Sequence, residues 1–249
     1  MSTPLAAGGP VLTRAEASGR TARLGWRHVL GALVTQVRVA SLTEAADLVV
    51  PTVVGCAGPD AGDRLWLDVR RDVVVVTLQS LAAGGVTAAE TDAAVRVTDA
   101  LQARGFDTRP ASGPTLRGGR GVQLVEIAVD TQDAAAIRPF WAAVLGYTDE
   151  GAAVDGASPD AAAPGSWDAL VDPLREGPAV WFQRMDAPRP QRGRIHLDVS
   201  VAHDEAPSRI AAALAAGGRL LSDAEAPAFW VLADADGNEV CITTWQGRD

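Results

Sequence analysis

The strongest constraint in this chain is a repeat. From about residue 124 onward one order of elements occurs twice: a strand, a helix closed by glycine, then short strands. In the first copy Leu124–Val129 alternates as a strand, and 134–145 carries a helical apolar stripe that stops at Gly146. Strands are then expected near Ala169 and over 179–184. In the second copy a strand over 194–201 leads to a helix over 205–216, closed by Gly217 and Gly218. Strands follow at 219–222, 229–233 and 239–244. Each βαβββ unit is too small to bury its own sheet face, so two must pack side by side. The result is a curved sheet enclosing a cleft, and a cleft of that kind is where a small ligand sits.

Residues 107–120 hold prolines and glycines with almost no apolar periodicity, the mark of a linker. They predict two domains, 1–110 and 121–249, with the linker proper at 111–120. Residues 151–165, rich in Ala, Asp, Gly and Pro, read as a loop inside the second domain. In the first, Thr13 and Glu16 form a capping-box pattern that starts a helix toward Leu24. A strand alternates over 31–40, and 43–54 is helical until Pro51 kinks or ends it. Strands at 65–69 and 73–78 flank the charged turn Arg70-Arg71-Asp72, and a second capping box, Thr87 to Glu90, opens a helix ending near Gly105. The fold class expected is therefore α+β.

Composition removes several partners. Lys and Arg number 22 against 31 Asp and Glu, a formal net charge of −9, which repels nucleic acid and anionic membranes. No stretch approaches the ~18 apolar residues of a membrane span, and the first residues lack the basic-then-apolar order of a secretory signal. Cys56 and Cys241, one in each half, make neither a disulfide framework nor a zinc cluster. A cytoplasmic protein with a small-molecule partner is expected, without nucleic acid or membrane.

Four segments of the second half resemble the glyoxalase-like, or vicinal oxygen chelate, superfamily. They are Phe140-Trp141-Ala142-Ala143-Val144-Leu145-Gly146-Tyr147, Val180-Trp181-Phe182-Gln183-Arg184, Arg194-Ile195-His196-Leu197-Asp198-Val199, and Asp234-Ala235-Asp236-Gly237-Asn238-Glu239. The resemblance implies the glyoxalase/bleomycin resistance fold. In metal-dependent members a His or Glu from each of four strands binds a divalent ion. Here Leu124, Arg194 and Cys241 fall at three of those positions, so the usual metal site is expected to be absent and no cofactor is expected.

A set shifted by one rung stays open. Glu126, His196 and Glu239 share strand faces with the three positions just named, and converge if strands 194–201 and 239–244 run antiparallel, as the resemblance implies. Two carboxylates and an imidazole suit acid–base catalysis, or else a divalent ion. Trp181, Gln183, Arg194, Asp198 and Trp230 are the candidate ligand contacts, the two indoles for stacking on a planar molecule. Lyase or isomerase chemistry is one expectation. A non-catalytic sequestering protein of the bleomycin-resistance type, in which two copies pair, is the other.

The first half resembles pterin-4a-carbinolamine dehydratase, through Trp26, the strand holding Val37 and Val39, Pro59-Asp60 before Leu65-Trp66, and Val75-Val76-Thr77-Leu78 leading to Gly84-Gly85-Val86-Thr87. Active members carry a His-His-Pro sequence and a third His. Ala57-Gly58-Pro59 and Leu81 stand there instead, offering no proton donor or acceptor. A scaffold for binding or pairing is expected, with residual pterin dehydration as a further alternative.

Overall fold

Residues 9–58, 61–110, 121–150, 169–188 and 195–247 are described by the computed structural model of the protein. They divide into two units, one running through Leu124 and the other comprising 125–150 and all that is described from 169 on. The predicted loop 151–165, the linker 111–120, Arg194, and the Pro59-Asp60 pair lie outside the described residues. No helix among those described is long and apolar enough to cross a membrane.

In the first unit Thr13 accepts the Glu16 N–H while the Glu16 carboxylate accepts the Thr13 N–H, so helix α1 runs Arg14–Thr21. Strands β1 (Arg27–Val29) and β2 (Ala32–Arg38) form an antiparallel hairpin. Helix α2 (Leu42–Glu44) then continues through a wider π-helical segment, Ala45–Val49, into α3 (Val50–Ala57). Pro51 therefore does not end the helix. The chain widens just before it, with the Val50 N–H reaching back to Ala45 O, which absorbs the missing donor and the ring's bulk.

Strands β3 (Leu65–Val69) and β4 (Val73–Leu78) follow as predicted, then α4 (Ala88–Gln102) behind its capping box. A last strand, β5 (Thr108–Arg109), returns to pair with β2. Thr108 and Arg109 thus belong to the sheet and not to the loose stretch expected from residue 107. The sheet order is β1-β2-β4-β3, with β5 also on β2. Leu33, Val37, Val74, Val76 and Leu78 bury against Val53, Val97 and Leu101, with Trp26 wholly enclosed among them. Glu90 is fully buried too. One of its oxygens takes both the N–H and the hydroxyl of Thr87, and Arg64 lies 3.4 Å from the other.

The second unit contains the repeat. Its first copy is β6 (Glu126–Thr131), α5 (Ala134–Leu145), β7 (Thr148–Asp149), β8 (Leu170–Val171) and β9 (Ala179–Arg184). The second is β10 (Asp198–Ser200), α6 (Ala206–Ala215), β11 (Arg219–Ser222), β12 (Phe229–Ala233) and β13 (Glu239–Thr243). The sheets have matching orders, β6-β9-β8-β7 and β10-β13-β12-β11, so the first strand of each copy lies beside the last. Both of those pairs are parallel. The antiparallel arrangement expected for 194–201 with 239–244 is therefore incorrect. A helical crossover leaves β11 running the same way as β10, and two further reversals return β13 to that direction.

Both copies share one core. Ile137, Phe140, Trp141 and Val144 of α5 and Ala206 and Ala213 of α6 pack with Val129, Leu170, Val180, Leu232, Val240 and Ile242 of the sheets. The turn between β12 and β13 ties the copies together. The fully buried carboxylate of Asp234 accepts Trp141 Nε1–H at 3.0 Å, the Asn238 side-chain amide at 2.8 Å, and the N–H groups of Asp236 and Asn238. Asn238 also donates to Asp130 O, and Asp236 accepts the hydroxyl of Thr131 and the N–H of Gln132. The motif that carried the resemblance is thus a clamp between repeats.

Candidate functional site

Strand alternation gives each sheet two different faces. Toward the helices point Ile127, Val129, Val180, Phe182, Leu197, Val199, Leu232, Val240 and Ile242. The opposite face of β6 and β9 therefore carries Glu126, Ala128 and Asp130 beside Ala179, Trp181 and Gln183, paired in that order. In the second sheet the register Asp198–Cys241–Val231 puts these three side by side on the face without helices. One rung on, the hydroxyls of Ser200 and Thr243 are 2.8 Å apart.

Glu126, Trp181, Gln183, His196 and Asp198 are exposed, while Glu239 is half-buried. His196 lies two residues before Asp198, where the Leu197 carbonyl still accepts the Cys241 N–H. Carrying the parallel register back two residues from Asp198 and Cys241 sets His196 level with Glu239. Glu126 starts the first strand of the other sheet. Among the described residues no group of three or more His, Cys, Asp or Glu side chains could hold a metal ion. Glu126, His196 and Glu239 do not form such a group.

Trp230 has a different place from the one expected of it. It pairs with Ile242 and packs against the helix-side core, so it is not on the face of Trp181. Its alternation with Leu232 already required this.

Two ionisable residues that the sequence did not single out stand near this face. Glu150 follows β7, and burial raises its carboxyl above the usual range; Arg175 nearby opposes the rise and Glu126 adds to it. Arg175 sits in the turn between β8 and β9 at φ +58, a left-handed conformation uncommon for a non-glycine residue. Burial depresses its proton affinity, against the pull of Glu150 and Asp172. Tyr147 is raised by burial and then by Asp172.

The raised Glu150 value has a consequence with a definite sign. Upward from pH 4.5 the folded protein keeps a proton that the unfolded chain has lost, so stability falls as pH rises through that window. Glu150→Gln is expected to remove this fall, giving a flatter melting temperature against pH than the native chain. An identical slope in both proteins would show that Glu150 is not the group responsible.

Comparison with known proteins now bears on residues 126–243, which match the family described as glyoxalase-like domain. No curated protein matches the chain. Among solved structures it is similar to a glyoxalase/bleomycin resistance protein/dioxygenase family enzyme from Burkholderia phytofirmans PsJN, at 18% identity and a TM-score of 0.36, over 48% of this chain and 95% of that one. It is also similar to the fosfomycin resistance protein FosX of Mesorhizobium loti, at 9% identity and 0.36, over 52% and 92%. A mutant FosX from Listeria monocytogenes, complexed with Mn(II) and 1S,2S-dihydroxypropylphosphonic acid, matches at 12% identity and 0.36, over 50% and 90%. Residues 126–243 of this chain are a glyoxalase-like domain.

Proposed function

We propose that the glyoxalase-like domain binds a small organic molecule on the helix-free face of its sheets, where Glu126, His196 and Glu239 transfer protons in a lyase or isomerase reaction. The observation carrying this reading is the division of faces. In β6, β9, β10, β12 and β13 one side closes on the apolar core, while the other side of β9 and β10 leaves Trp181, Gln183 and Asp198 exposed, with His196 exposed two residues before β10. The indole of Trp181 supplies a stacking surface, and Gln183, Arg194 and Asp198 supply hydrogen bonds. A carboxylate or imidazole on this face removes a proton from the bound molecule and returns it at another atom.

A second reading, sequestration without turnover, draws support from charge. By strand register Glu126 and Asp130 lie on the helix-free face of the first sheet and Asp198 and Glu239 on that of the second, which suits a cationic ligand. For the first unit we propose a pterin-dehydratase-like scaffold lacking that family's histidines, with binding or the pairing of two copies as its role. Residence in the cytoplasm belongs to the same proposal.

A thermal-shift screen of the full chain against a metabolite and antibiotic library, with and without divalent ions, separates these readings. Catalysis predicts a stabilising compound that is also consumed, with both effects reduced in His196→Ala. Sequestration predicts stabilisation without consumption. Equal affinity and equal turnover in His196→Ala would remove His196 from the site.

A further inference from the structure

Resting on the binding face proposed above, we infer that Glu150 is a specificity-determining residue of that face, where it and Trp181 together select a planar ligand bearing a basic nitrogen. The placement comes from register. Glu150 extends β7, its N–H donating to Ala169 O at 2.9 Å. Asp149 pairs with Leu170, Leu170 with Val180, and Trp181 with Ala128. Glu150, Ala169, Trp181 and Ala128 therefore follow one another across the sheet on a single rung.

The side chain's direction follows from its neighbours. Leu170 and Val180 enter the helix-side core, and Asp149 reaches back to Arg138 of α5 at 2.6 Å. Alternation turns Glu150 the other way, to the face of Trp181. What results is an unusual pairing of environments: the indole is 37% exposed, while the carboxyl on its rung is half-buried. A flat ring open to solvent accepts a planar molecule, and its face attracts a cation. A carboxyl withdrawn from water gains more from a cationic partner than an exposed one does, because the surrounding dielectric is lower.

Glu126 acts on Glu150 as a like charge, while Arg175, drawn to both Glu150 and Asp172, opposes it more strongly, so a cationic ligand competes with this guanidinium for the carboxyl. An anionic ligand would meet two carboxyls beside the ring. A neutral one would leave the attraction unused.

The test uses the full chain and three probes of one shape: benzamidine as the cation, benzamide as the neutral form and benzoate as the anion. The reporter is the Trp181 indole N–H resonance, assigned by its loss in Trp181→Phe. Benzamidine is expected to move this signal and to bind roughly tenfold or more tightly than benzamide, the range of a charge-assisted hydrogen bond, with benzoate weakest. Glu150→Gln, which keeps size and removes charge, is expected to bring benzamidine and benzamide to equal affinity, while Glu150→Asp keeps the preference. Three results overturn the inference: benzamide or benzoate binding at Trp181 as tightly as benzamidine, no probe reaching Trp181, or a full preference persisting in Glu150→Gln. Neutral library compounds binding on this face would leave the small-molecule reading standing alone. Failure of the whole library to bind there would remove that reading itself.

Discussion

Asp234→Ala is expected to lower stability by about 4 kcal/mol, the scale of breaking a buried charged network from one side. The carboxylate is fully buried and accepts four hydrogen bonds, one of them from Trp141 in the other repeat. Truncation orphans the buried Trp141 N–H and removes the acceptor of the part-buried Asp236 and Asn238 donors; a buried orphaned donor costs about 1–3 kcal/mol before relaxation. The loss is a large fraction of the ~5–15 kcal/mol that holds an ordinary protein folded. Asp234→Asn keeps the shape but turns an amide donor toward Trp141 or Asn238, so an intermediate loss is expected. Urea unfolding followed by circular dichroism measures both. A shift below about 1 kcal/mol for Asp234→Ala would mean that the turn is not the clamp between repeats.

Gly25→Ala is expected to be nearly as damaging in the first unit, at about 3 kcal/mol or more. Gly25 has φ +84, and a methyl group there would lie 2.0 Å from the carbonyl oxygen of Thr108. The obstacle is backbone, and backbone held in place. The Thr108 hydroxyl donates to Leu24 O and lies 3.3 Å from the Thr98 hydroxyl, which in turn accepts Trp26 Nε1–H. Thr35 adds bonds to Gly25 O and Arg109 O. Relieving the clash means pulling β5 from β2 and loosening the pocket of Trp26. Gly105→Ala is the useful comparison, since that glycine also has positive φ but meets no atom within 4 Å. It isolates the cost of the left-handed backbone, about 1 kcal/mol. Equal losses for the two variants would contradict a steric role for Thr108.

Elements with strong local signals were legible in the sequence. Helix α5 occupies Ala134–Leu145 and stops at Gly146, whose φ of 71 is the left-handed cap that glycine supplies. Strands β3, β4, β9, β11 and β12 lie where β-branched and apolar runs put them. Strands β1, β5 and β7 did not announce themselves, because two or three residues are too few to show alternation. Glu150 was hidden for the same reason: only the pairing of β7 with β8 reveals the face that it takes. Strand direction was the larger loss. Composition and period carry no sign for it, so an antiparallel pairing was expected where the crossovers require a parallel one, although the parallel register still sets His196 level with Glu239. Asp234 shows the opposite case. Its motif was visible, but its role as an acceptor for Trp141 depends on a partner 93 positions away.

The most direct measurement is a heteronuclear NMR footprint of the full chain, titrated with the strongest stabiliser from the library screen. The expected result is a set of shifted resonances confined to Glu126, Trp181, Gln183, His196, Asp198, Glu239 and their strand neighbours. Shifts confined to α5, α6 or the first unit, with the Trp181 indole unmoved, would contradict a binding face on the helix-free side.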